Sequence, residues 1–86
     1  HAGDGNLHSA VEAGDSPVET AIAEEVLDEI TRLALELGGT ISGEHGIGST
    51  KHHELPWQLS ATSIDVHRRI KEALDPGGIL SPGRAV

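Results

Sequence analysis

The sequence predicts an α+β fold, a small antiparallel sheet with helices packed on one face, and three observations predict it. Aliphatic residues recur with helical spacing through the acidic first half. A second apolar stripe occupies the 60–74 region, and a short β-prone stretch precedes each helix. The order strand–helix–strand–helix, with a further strand inferred ahead of His1, places both helices on one side of one layer.

Each element has a local reason. Asn6–Val11 alternates, with Leu7, Ser9 and Val11 on one face and Asn6, His8 and Ala10 on the other, which reads as a strand. Ala13–Pro17 reads as a loop. From Val18, the residues Ile22, Val26, Ile30, Leu33 and Leu37 form one helical stripe. Glu19, Glu24 and Glu25 enrich its first half in acid, and Gly38-Gly39 supplies the stop. Thr40-Ile41-Ser42 is β-prone and short, and Gly43, Gly46 and Gly48 break any ladder beyond it. A second helix is expected from about Ser60 to Leu74, with Ile64, Ile70, Ala73 and Leu74 as its apolar stripe. Asp75-Pro76-Gly77-Gly78 ends it, since proline removes a donor and glycine permits positive φ. The tail, ILSPGRAV, reads as extended or irregular.

Composition narrows the function classes. The chain has 86 residues, begins at His1 and contains no methionine, so it reads as a piece of a longer protein. So short a chain leaves much apolar surface near water. Fourteen acids against six bases give a net charge of −8, which argues against nucleic-acid binding. Many of those acids fall in Glu12–Glu36 and read as a solvated helix face. No apolar run approaches the roughly 20 residues of a membrane span. The absence of cysteine removes disulfides and thiolate metal sites and suits a reducing, cytoplasmic compartment.

The opening motif, HAGDGNLH, carries the first chemistry. An Asp-Gly pair between β-prone flanks signals a type I′ hairpin turn. With Asp4 and Gly5 at its centre, His1 faces His8, with Cβ atoms about 4.5–5.5 Å apart. Two imidazoles so placed can share a metal ion at Zn–N bonds of about 2.0–2.1 Å. The alternatives stay open: the pair can be two surface histidines, and a turn centred on Gly5-Asn6 sets His8 opposite Gly3 instead. A second constellation, TISGEHGIG, offers Glu44 and His45 between glycines that let both side chains address one cavity. Two imidazoles and a carboxylate suit zinc or another divalent transition metal. A polar glycine-rich turn explains Glu44 and His45 equally well when that stretch is taken alone.

Taken together, HAGDGNLH, then GGTISGEHGIG, then Lys51, then IKEALDPGGILSPGR resemble the C-terminal end of FAD-linked oxidases and dehydrogenases of the vanillyl-alcohol oxidase superfamily. The nearest resemblance is to the branch of D-lactate dehydrogenase, the FAD subunit of glycolate oxidase and D-2-hydroxyglutarate dehydrogenase. It covers essentially the whole chain. The resemblance implies that residues 1–86 form the C-terminal segment of a cap or substrate domain, without the FAD-binding domain that holds most of the flavin. It implies metal ligands at His1, His8 and Glu44, and a catalytic base at His45 acting on the hydroxyl of a small 2-hydroxy acid. The family lysine matched by Lys51 suggests substrate binding, with a solvated surface lysine as its equal alternative. Where the family usually ends in LNPGK, this chain has Ser81 and Arg84, which puts a cofactor-binding contact from the tail to FAD in doubt. The electron acceptor that reoxidises the flavin is left open.

The remaining histidines read as solvated: His52 and His53 before Leu55-Pro56, and His67 among Arg68, Arg69 and Lys71. Trp57 reads as a packing anchor. A second class of function also fits the residues, a stand-alone module that binds metal or a partner and performs no catalysis.

Overall fold

The computed structural model describes all residues from His1 to Val86. They form two units, His1–Glu44 and His45–Val86. The elements are helical throughout: α1 (Pro17–Glu36), α2 (Leu55–Gln58) and α3 (Ala61–Leu74), with single 3-10 turns at Ala2–Asp4 and His52–Glu54. There is no strand, so the expected antiparallel sheet is not formed.

The reason lies in the first turn. A type I′ hairpin needs positive φ at both central residues. Gly5 has it, at φ 81°, and Asp4 does not. The His1 carbonyl instead accepts from the Asp4 and Asn6 amides at 2.9 and 3.2 Å, and the Ala2 carbonyl from the Gly5 amide at 3.0 Å. The Asp-Gly pair therefore ends a tight right-handed turn, and no hairpin ladder grows from it. Residues 6–11 continue irregularly and mostly in solvent, where water satisfies their backbone groups. Thr40-Ile41-Ser42 does not form a strand either. The Thr40 hydroxyl donates to the Ser42 carbonyl at 2.7 Å, closing a local bend around a buried Ile41.

Helix α1 forms where the periodicity places it. Ser16 is its N-cap: the Oγ accepts from the Glu19 amide at 3.1 Å, and Pro17 occupies the first turn, where its missing N–H is not needed. At the other end the Gly39 amide donates to the Ala34 carbonyl at 2.8 Å and the Gly38 amide to Leu35 at 3.0 Å. With Gly38 at φ 84°, this is the left-handed glycine stop that satisfies orphan carbonyls. The face that α1 covers, however, is not the predicted one. Ala23 is buried, and Leu27, Thr31, Ala34 and Leu35 are half-buried. Ile22, Val26, Ile30, Leu33 and Leu37 remain 37–78% exposed.

In the second unit, the Ser60 Oγ accepts from the Ser63 amide at 3.1 Å and starts α3. Its predicted stripe is also largely uncovered: Ile64 is half-buried, whereas Ile70, Ala73 and Leu74 are exposed. Asp75 ends the helix and is buried. Its carboxylate accepts from the Lys71 ammonium and from the Ile79 and Leu80 amides, the latter two at 3.1 and 3.0 Å. The Gly78 amide donates to the Asp75 carbonyl at 3.0 Å, closing the turn around Pro76-Gly77.

Candidate functional site

In the first unit, three of the predicted site residues meet. The His8 Nε2 lies 2.8 Å from the Glu44 Oε1, and the His1 Nε2 lies 4.0 Å from the Glu44 Oε2. The elements responsible are the Ala2–Asp4 turn, which folds His1 back toward the chain following Gly5, and the bend at Thr40–Ser42, which delivers Glu44. His1 and His8 thus converge through the carboxylate, not by facing each other across a ladder. All three side chains are solvent-accessible, that of Glu44 at 38%.

A fourth residue joins them. The Asn6 Nδ2 donates to the Glu44 Oε1 at 3.0 Å. Sequence pattern had placed Asn6 only on a strand face. Its contact joins residues 38 apart in the chain, and nothing in local periodicity signals it. Gly43, immediately before the carboxylate, packs against the same amide: an added Cβ there would stand 2.2 Å from the Asn6 Oδ1.

The donor set fits a divalent cation. The His8 Nε2 stands at hydrogen-bond distance from the Glu44 Oε1 and the His1 Nε2 lies farther off, beside Oε2, so an imidazole and a carboxylate of the kinds zinc accepts are neighbours on one side of this cluster. A carboxylate held by an outer amide donor has the support expected of a metal ligand.

The other predicted residues lie in the second unit. His45 follows Glu44 directly and is exposed. Lys51 is half-buried at the head of the His52–Glu54 turn, where its amide donates to the Ile47 carbonyl at 3.3 Å. The tail returns to the same glycine-rich loop: the Ala85 amide donates to the Gly48 carbonyl at 2.8 Å, and the Arg84 guanidinium donates to the Ser49 hydroxyl. Ser81 adopts φ 44°, a left-handed conformation unusual for a residue with a side chain. Arg84 is therefore engaged with the protein's own loop.

Two further features of this unit were not legible beforehand. Glu54 is 5% exposed and its Oε2 has no hydrogen-bond partner. The His53 ring stands edge-on to Trp57 at 5.7 Å, so this histidine packs on the indole while remaining accessible. His67 is exposed as expected, its Nδ1–H donating to the Ser63 carbonyl at 2.6 Å.

Family comparison agrees with the motif order. Residues 1–85 match the family of FAD linked oxidases, C-terminal domain, and the chain belongs to that family. Among its relatives, glycolate oxidase subunit GlcD of Escherichia coli is 42% identical over 87 aligned positions, covering 100% of this chain and 17% of the relative. GlcD of Bacillus subtilis is 44% identical, covering 98% of this chain and 18% of its own length. The mitochondrial D-lactate dehydrogenase [cytochrome] of Arabidopsis thaliana is 37% identical, with 100% and 15% covered. The chain thus spans less than a fifth of the length of these relatives. No helix is long and apolar enough to cross a membrane.

Proposed function

We propose that this chain supplies the metal ligands and the proton acceptor of a flavin-dependent enzyme that oxidises a small 2-hydroxy acid of the D-lactate, glycolate or D-2-hydroxyglutarate type. One observation carries the reading: the clustering of His1, His8 and Glu44 from opposite ends of the first unit. Exposed ion pairs contribute at most about 1 kcal/mol. That is small return for gathering two imidazoles and an amide on one carboxylate, and a shared cation accounts for the arrangement better. The relatives' names support the substrate class.

When bound, a divalent cation, read as zinc, supplies Lewis-acid polarisation of a hydroxyl, and FAD supplies the two-electron acceptor. His1 and His8 would hold the cation through imidazole nitrogens and Glu44 through its carboxylate. A ring nitrogen of His45 accepts the proton of the substrate 2-hydroxyl, a role suited to an imidazole near neutral pH. Lys51 offers its ammonium to the substrate carboxylate. Ser81 and Arg84 are the tail residues that would contact FAD, which a separate domain would bind in the main. Residues 1–86 therefore form one segment of the substrate domain and turn over no substrate alone. The cysteine-free composition suits the cytoplasm.

The experiment is His45→Ala in the full-length enzyme carrying this segment. Flavin and metal content should stay at wild-type level while 2-hydroxy acid oxidation falls by about 10²–10⁴-fold, the range of general-base help. Undiminished turnover removes His45 from the mechanism.

A further inference from the structure

We infer that Asn6 is a positioning residue for Glu44, and that Gly43 provides the space its amide occupies. The inference rests on reading His1, His8 and Glu44 as a ligand set. The Asn6 Nδ2 donates to the Glu44 Oε1 at 3.0 Å, the oxygen that also lies 2.8 Å from the His8 Nε2. That donation fixes which way the amide points, because a carboxylate oxygen accepts and only the NH₂ end can give. The opposite end, Oδ1, then faces Gly43, where an ideal Cβ would stand 2.2 Å away. A Cβ there would make the Asn6 amide move, and an amide so displaced loses its hydrogen bond to Glu44.

The consequence is a two-part device. The amide settles the torsion of an accessible glutamate that would otherwise sample several rotamers, and it holds Oε1 on the His8 side. Oε2 is then the oxygen presented toward His1, at 4.0 Å from its Nε2. Glycine at position 43 leaves room for the Asn6 amide and does not serve a left-handed backbone, unlike Gly46 at φ 77°. An outer-shell donor of this kind typically changes metal affinity by about 10–100-fold.

Zinc(II) titration of the full-length protein, first stripped of metal by a chelator, tests the device, with cobalt(II) absorption as a second readout. Asn6→Ala should weaken zinc binding by about 10–100-fold and alter the cobalt ligand-field bands. Gly43→Ala should do the same by displacing the amide. In the Asn6→Ala background, Gly43→Ala should add almost nothing, because the atom it collides with is gone. Asn6→Asp, which keeps the shape and replaces the donor by a negative charge, should bind zinc no better than Asn6→Ala.

Wild-type zinc affinity in Asn6→Ala, with affinity lost in His8→Ala, overturns the role of Asn6 and leaves the ligand set standing. Wild-type affinity in both overturns the ligand set as well. Additive losses for Asn6→Ala and Gly43→Ala contradict the shared contact. A fall in the melting temperature of the metal-free protein that accounts for all of the zinc loss makes Asn6 a merely structural residue. If Gly43→Ala fails to fold, the two Asn6 variants carry the test by themselves.

Discussion

Asp75 receives the Lys71 ammonium together with two backbone amides of the turn that follows it. The hydrogen bond from Lys71, then the donation from Leu80 and with it that from Ile79, hold its carboxyl below the ordinary aspartate value. The sign of the pH dependence follows. A depressed folded-state pKa gives stability that is fully present above the unfolded value, about 3.9, and is lost as pH falls through the lower folded one. Melting temperature measured against pH should fall in that acid window for the wild type, and Asp75→Asn should flatten that portion while lowering stability at neutral pH. An unchanged acid limb in Asp75→Asn would show that the turn does not depend on this carboxylate. Ser81, at φ 44°, makes the opposite kind of prediction. Ser81→Gly should relieve backbone strain and raise stability by about 0.5–1 kcal/mol, readable as an upward shift in denaturant midpoint. At this scale the sequence exposed the chemically conspicuous residues, His1, His8 and Glu44, through their motifs. It concealed Asn6 because an amide becomes informative only when its partner, 38 residues away, is known. Glu54 was hidden likewise, since a carboxylate in a His-His-Glu run reads as solvated until its burial is seen.

The stop of α1 was legible in Gly38-Gly39, whereas its start lies at Pro17, inside the Ala13–Pro17 stretch that reads as loop, with Ser16 as the cap. Ser16-Pro17 at the start of α1 and Gly38-Gly39 beyond its end do what their types dictate. Ser16→Ala should cost about 1 kcal/mol through loss of the Glu19 amide's acceptor. Gly38→Ala, forced to keep φ 84°, should cost about 1–2 kcal/mol, and amide exchange should quicken first around Leu33–Gly39. Undisturbed exchange in that turn would speak against the glycine stop. What failed at this scale was pairing. A strand exists only with a partner, and a single dihedral at Asp4 decided between hairpin and 3-10 turn. The apolar stripe of α1 located the helix correctly and misjudged its covered side, which runs through Ala23, Leu27, Thr31 and Leu35. Periodicity of 3.6 identifies a helix from any of its faces, whereas the buried face depends on what packs there.

Across the molecule, family membership and the motif order agree over nearly the whole chain, while the chain itself spans less than a fifth of its relatives. On the proposed function, such a segment contributes side chains that bind and orient, and the flavin is bound mainly by another part of the enzyme. Metal content of the purified full-length enzyme, compared among wild type, His1→Ala, His8→Ala and Glu44→Ala, measures the central claim most directly. About one equivalent of divalent metal in the wild type and a clear loss in each variant is the predicted result. Wild-type metal content in all three variants would contradict it.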